Sequence, residues 1–197
     1  MSATKSYDYS FSHRMLEILS IAGLAVTVGM LLYEVFLGLK LFETASWWLI
    51  PSSVVLAYLC ADFVSGFVHF LGDTFGSEET PILGKGFISP FREHHVDPRG
   101  LTHHDFVETN GNNCIVCIPT VLFVWYAIPA RSELWATWLV AFTAWFMIGI
   151  FMTNQFHKWA HLEAPPAWIR VLQDCRLILP PEWHTIHHTP PFDRYYC

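Results

Sequence analysis

Charged residues are scarce in this chain. Asp, Glu, Lys and Arg make up 14% of its 197 residues against 53% apolar ones, which leaves too little polar surface to wrap a soluble core of that size. Lys and Arg number 11 against 17 Asp and Glu, and the net charge of −6 argues against a nucleic-acid partner. The five cysteines, Cys60, Cys114, Cys117, Cys175 and Cys197, are too few and too scattered for a disulfide framework. Cys114 and Cys117 form a C-x-x-C without a second pair and read as small-residue packing. Repeats and low-complexity tracts are absent. A cleavable signal peptide is not expected either, because Met1 to Arg14 is polar and the first apolar run is of spanning length with no cleavage pattern after it.

What the chain has instead is apolar runs, with a mean hydropathy of +0.34. Crossing a bilayer takes about 20 mostly apolar residues, and four stretches approach that: Leu16 to Phe36, Trp47 to Leu71, Cys114 to Ala130 and Leu134 to Thr153. The third is short and carries Pro119 and Pro129. The expectation is an all-α, polytopic helical bundle with four transmembrane helices and a cytosolic histidine-rich helical cap. Residues 1–197 form a single membrane-embedded domain in this reading, with cytosolic segments at 72–113 and 154–197.

Lys and Arg near span ends favour the cytoplasmic side. Four crossings put both termini and the 72–113 segment together, with Lys5, Arg14, Lys85, Arg92, Arg99, Lys158, Arg170, Arg176 and Arg194. Lys40 and Arg131 alone fall on the other side. The polar segments and both termini are therefore expected in the cytosol.

Eleven histidines stand out in so apolar a chain. His13 belongs to the polar N-terminal tail and reads as solvated. The other ten, His69, His94, His95, His103, His104, His157, His161, His184, His187 and His188, fall at or beyond the cytosolic ends of spans two and four. Residues three or four apart share a helical face, which pairs His157 with His161 and joins His184 to His187 and His188. Pro180-Pro181 can open the helix that bears the latter. Ser89-Pro90 is expected to cap a helix holding His94 and His95, and Thr102-x-x-Asp105 resembles a capping box that places His104 in a first turn. Asp62, His69 and Asp73 lie on one stripe of span two. Asp73 suits the site, whereas Asp62 fits a functional cavity and a plain interhelical hydrogen bond equally well. So many imidazoles exceed the needs of one zinc and imply two metals. Such a centre suits an oxidant for unactivated carbon, which side chains alone cannot supply.

The stretches ADFVSGFVHFLGDTFGS (61–77), PFREHHVDPRGLTHHDFVETNGNNC (90–114), TNQFHKWAH (153–161), LQDCRLILPPEWHTIHH (172–188) and the final RYYC resemble the Kua family of plasmanylethanolamine desaturases. The plastid desaturases of phosphatidylglycerol acyl chains share the histidine layout but fit the 105–110 run poorly. The resemblance implies O2-dependent conversion of a 1-O-alkyl ether phospholipid to the 1'-alkenyl ether of a plasmalogen. It further implies the endoplasmic reticulum membrane, a diiron centre and electrons from cytochrome b5. Carried over by position, the metal set is His69, Asp73, His94, His95, His104, His157, His161, His184, His187 and His188; His103 is left out because the family pattern admits arginine there. Arg92, Arg99 or Lys158 would hold the lipid phosphate. The family continues past Tyr-Tyr-Cys, so a shortened form is expected. The alternatives are acyl-chain desaturation or hydroxylation on the same scaffold and, in another class, a non-enzymatic membrane protein that binds or transports divalent metal.

Overall fold

The structure, a computed structural model, describes residues 10–42 and 48–196. Lys5 and Cys197, used above, and Trp47, the expected start of span two, lie outside the described residues. Eight α-helices occur among the described residues, with no strand. They are α1 (Phe11–Leu41), α2 (Leu49–Thr74), α3 (Ser89–Val96), α4 (Gly100–His103), α5 (Phe106–Ala127), α6 (Leu134–Ala160), α7 (Ala167–Asp174) and α8 (Pro181–His187); a π-helical turn, Gly84–Ile88, leads into α3. Three of them, α1, α2 and α6, are long and apolar enough to cross a membrane.

Apolar spacing builds the core. Leu24, Val28, Leu31 and Val35 recur every three or four residues on α1 and are buried, a one-sided stripe. It meets Cys114, Cys117 and Val121 of α5 and Val140, Ala141, Ala144 and Met147 of α6, so the C-x-x-C is indeed packing. Outward-facing residues such as Phe63, Phe123 and Tyr126 are 71%, 68% and 88% exposed, an apolar surface suited to lipid.

Polar ties fix helix direction. Arg14 makes a two-pronged bridge to Asp105 at 2.6–2.7 Å, and Arg131 reaches Glu34 at 2.9 Å, so α1 and α5 run parallel. Trp138 donates to Ser52 at 2.9 Å and the rings of His69 and His157 lie 5.3 Å apart, so α2 and α6 run parallel. Asn110 donates to Gln155 at 3.1 Å and Asn154 to the Thr109 carbonyl at 3.1 Å, which sets α5 antiparallel to α6. The end of α2, the start of α5 and the end of α6 therefore meet at one end of the bundle.

The element limits differ from the hydropathy-based expectation in several places. The third apolar run belongs to a helix that starts at Phe106 and stops at Ala127, not Ala130. Ile128 is extended, as the residue before a proline prefers, and Pro129 cannot continue the ladder. The helix starts early because Asp105 is its N-cap, accepting from the Val107 and Glu108 amides at 2.9 and 3.0 Å. Thr102 caps nothing there and donates instead to the Arg99 carbonyl at 2.7 Å. His104 consequently precedes the helix in extended backbone. Ser89 provides no side-chain cap, because the π-helical turn already feeds α3. The fourth run, by contrast, continues helically to Ala160 as the spacing of His157 and His161 leads one to expect, with His161 as C-cap. His13 is only partly exposed, its Nε2 3.3 Å from the buried Glu17 carboxylate.

Backbones approach closely where α1 meets α5. A Cβ at Gly111 would stand 2.4 Å from Glu17 Cβ and 3.0 Å from its Cα. Gly111→Val should therefore lower the thermal unfolding midpoint in detergent, at a cost of about 1–3 kcal/mol. Gly29→Ala, whose added methyl meets nothing within 4 Å, should leave the midpoint unchanged or slightly raised; equal midpoints for the two variants would contradict the close approach.

Candidate metal centre

Four elements deliver donors to the meeting end of the bundle. The last turns of α2 carry His69 and Asp73, α3 carries His94 and His95, α6 ends in His157 and His161, and α8 and its C-cap carry His184, His187 and His188. Gly72 lets α3 come close, since a Cβ there would stand 2.5 Å from the Phe91 ring. Phe91 in turn packs on His69 at 4.9 Å between centroids.

Nine side chains fall into two groups whose donor atoms all lie within 4.8 Å of one another. His94, His157, His161, His184 and His188 form one group; His69, Asp73, His95 and His187 form the other. Neighbours on a helix point about 100° apart. That rotation sends His94 to the first group and His95 to the second, and it splits His188 from His187 likewise. The groups adjoin, with the rings of His95 and His188 4.9 Å apart.

In the five-histidine group, Nε2 of His94 and Nε2 of His184 each stand 2.6–3.1 Å from the same three atoms, Nε2 of His157, His161 and His188. A neutral imidazole Nε2 either donates one hydrogen or accepts through one lone pair. Five such atoms can form at most two hydrogen bonds among themselves, so these six contacts need another explanation. Nitrogens about 2.1 Å from a shared cation and at right angles to one another stand about 3.0 Å apart, and the donor set fits that arrangement. In the second group, Asp73 Oδ2 lies 3.4, 3.1 and 3.4 Å from Nε2 of His69, His95 and His187. Donors at tetrahedral angles around such a cation stand about 3.4 Å apart. These three nitrogens and both Asp73 oxygens are buried without a hydrogen bond, which is costly unless something else binds them.

Electrostatics favours the ligating form. Burial, reinforced by neighbouring imidazoles, pushes His94 down to about 2, His188 to about 3 and His161 to about 4. His184 is also driven well down, burial again leading. His94, His161, His184 and His188 are thus neutral at physiological pH, with lone pairs available to a metal.

Other sequence-derived candidates lie elsewhere. His104 stands outside both groups, its Nε2 3.7 Å from Glu108, because the helix it was expected to open begins two residues later. Asp62 lines a groove between α2 and α6 with Tyr58, Ala61, Gly149 and His157. Arg92 donates to the carbonyls of Gly72 and Gly76 at 3.3 and 3.5 Å. Arg99 pairs with Glu163 at 2.5 Å, and Lys158 donates to the His104 carbonyl. Phe91 and the buried Asn110–Gln155 pair, which brace the donors, went unnoticed in the sequence. Asn110 and Gln155 each adjoin a histidine-bearing motif, and that proximity is the signal that could have marked them.

A family model described as a lipid desaturase domain matches residues 58–197. A plasmanylethanolamine desaturase of Myxococcus xanthus is 50% identical over 194 residues, covering 96% of this chain and 65% of that protein. Plasmanylethanolamine desaturase 1 of Mus musculus is 46% identical over 153 residues, covering 76% of this chain and 56% of that protein. Fatty acid desaturase 4, chloroplastic, of Arabidopsis thaliana is 31% identical over 143 residues, 71% of this chain and 42% of that protein. The chain thus spans less than two thirds of the length of each. No solved structure matches it.

Metal should stabilise this end of the bundle. Reloading chelator-stripped protein with ferrous iron at a hundredfold excess over Kd should stabilise it by about 2.7 kcal/mol per site, raising the unfolding midpoint. A midpoint indifferent to iron would count against both donor groups.

Proposed function

The chain belongs to the lipid desaturase family, and from that premise we propose that it acts as a plasmanylethanolamine desaturase. It would introduce the 1'-alkenyl double bond into 1-O-alkyl-2-acyl-glycerophosphoethanolamine. The observation that carries this reading is the pair of adjoining, nitrogen-rich donor groups at one end of a lipid-facing bundle. His94, His157, His161, His184 and His188 would hold one iron, and His69, Asp73, His95 and His187 a second; His104 is assigned to neither. Together the irons supply an O2-derived oxidant strong enough for unactivated C–H bonds, which no side chain provides. The balance is one O2 reduced to two waters. Two hydrogens leave C1' and C2' of the alkyl chain, and two electrons and two protons come from outside. Cytochrome b5 is the proposed electron donor.

The chain's own residues position the substrate. The groove between α2 and α6 reaches His157 and is walled largely by apolar side chains, so the alkyl chain would lie there with its ether end beside the donor groups. Of the three cations considered for the phosphate, Arg99 is the best placed. Its side chain is 68% exposed and that of its partner Glu163 is 73% exposed, so exchanging partners costs little. Arg92 and Lys158 are committed to backbone carbonyls. We further propose that α5 is a fourth crossing and that residues 1–197 form one membrane-embedded domain. The donor end and both termini would face the cytosol at the endoplasmic reticulum, in line with the nine-to-two distribution of Lys and Arg. The same scaffold could desaturate or hydroxylate an acyl chain, a reading that the likeness to fatty acid desaturase 4 favours. Metal transport fits less well, since the donor groups sit at one end of the bundle rather than along a path through it.

Purified protein loaded with iron, given reduced cytochrome b5 and an alkyl ether phosphoethanolamine lipid, should consume O2 and yield acid-labile vinyl ether. Arg99→Gln should raise KM about two- to fivefold with kcat nearly unchanged. Iron-replete protein that makes no vinyl ether, or that places the double bond in the acyl chain, would overturn the assignment.

A further inference from the structure

Beyond α8 the chain turns back over one donor group. His187 donates from Nδ1 to the Arg194 carbonyl at 3.1 Å. A carbonyl only accepts, so the proton is fixed on Nδ1 and the lone pair on Nε2, the atom that faces Asp73. Aromatic rings of the same segment close over the imidazoles: Phe192 on His95 at 5.0 Å, and Tyr196 on His187 at 4.8 Å and on His69 at 5.7 Å. Each histidine of the four-ligand group therefore meets the 192–196 segment. The five-histidine group contrasts with this. Among the described residues its rings stack only on other imidazoles.

The backbone of the segment offers a second, independent observation. Phe192 and Tyr195 adopt φ of +61° and +57°, a conformation unfavourable for a bulky side chain that persists only where its surroundings dictate it. Tyr195 turns to Trp183, at 5.5 Å, while its neighbour Tyr196 faces the histidines.

We propose that residues 192–196 are a positioning cover for the four-ligand group, so that occupancy of the site formed by His69, Asp73, His95 and His187 depends on Phe192 and Tyr196 while the five-histidine site does not. This rests on the two-iron reading above. Outer partners that fix a ligand imidazole are worth about 10–100-fold in metal affinity. They also exclude water from the site.

The test uses the full chain in detergent, reloaded anaerobically with ferrous iron and freed of excess metal. Iron per chain, Mössbauer spectra and the rate of iron loss to a chelator are then measured. The wild type should hold two irons in distinguishable environments. Phe192→Ala combined with Tyr196→Ala should retain close to one, with loss of the other at least tenfold faster. The iron that remains shows that the bundle is still folded. Tyr196→Phe, which keeps the ring, should hold two, as should Tyr195→Ala. A double variant that keeps both irons at wild-type rates, or loses both in parallel, overturns the cover. A wild type that holds fewer than two irons overturns it too, but by removing the two-iron premise.

Discussion

Nine lone-pair donors crowded into a space from which water is excluded repel one another and cannot satisfy one another by hydrogen bonding. Every other part of the structure can be understood as keeping them together despite that cost. The donors come from four helical elements far apart in sequence, and no two of those elements would hold them alone. The deep burial of His69, His184 and His187, each no more than 2% exposed, is tolerable only if a cation takes up the electron density they direct inward.

The bundle answers this with polar and small-residue contacts added to its apolar core. Arg14 bridges to the residue that caps α5, Asn110 and Gln155 join α5 to α6 just below the histidines, and Gly72 admits the Phe91 ring so that α3 can reach α2. These ties act at the donor end of the bundle. Along the spans, packing depends on small residues such as Ala57, Ala61, Ala141 and Ala144, all buried, as is common where helices associate among lipids. The opposite end has its own ties, Arg131 to Glu34 and Trp138 to Ser52, which hold the helices in register with the donor end.

Much of this was legible in the sequence, for identifiable reasons. The pairs His157/His161 and His184/His188 obey a spacing that any helix enforces, so their shared faces could be read directly. Hydropathy located the long helices, and the His157/His161 spacing carried α6 past its apolar run, yet the start of α5 at Phe106 was missed because its first turns are polar. His104 was misplaced by a local ambiguity: Thr102 and Asp105 can both cap a helix, and only the bridge from Arg14, a contact 91 residues distant in sequence, settles which one does. The division of the donors into five and four was not legible at all. It depends on the rotation of α3 and α8 about their axes, which packing decides.

His94-His95 and His187-His188 each send one imidazole to either group, so the two groups are joined twice through single peptide linkages. Consecutive Cα atoms are 3.8 Å apart whatever the surroundings do. Covalent geometry thus tethers the two sites and limits how far they can part, as a short cord limits two weights. Slow breathing of the spans in a bilayer of changing thickness would be resisted by these two tethers, since parting α2 from α6 pulls against both.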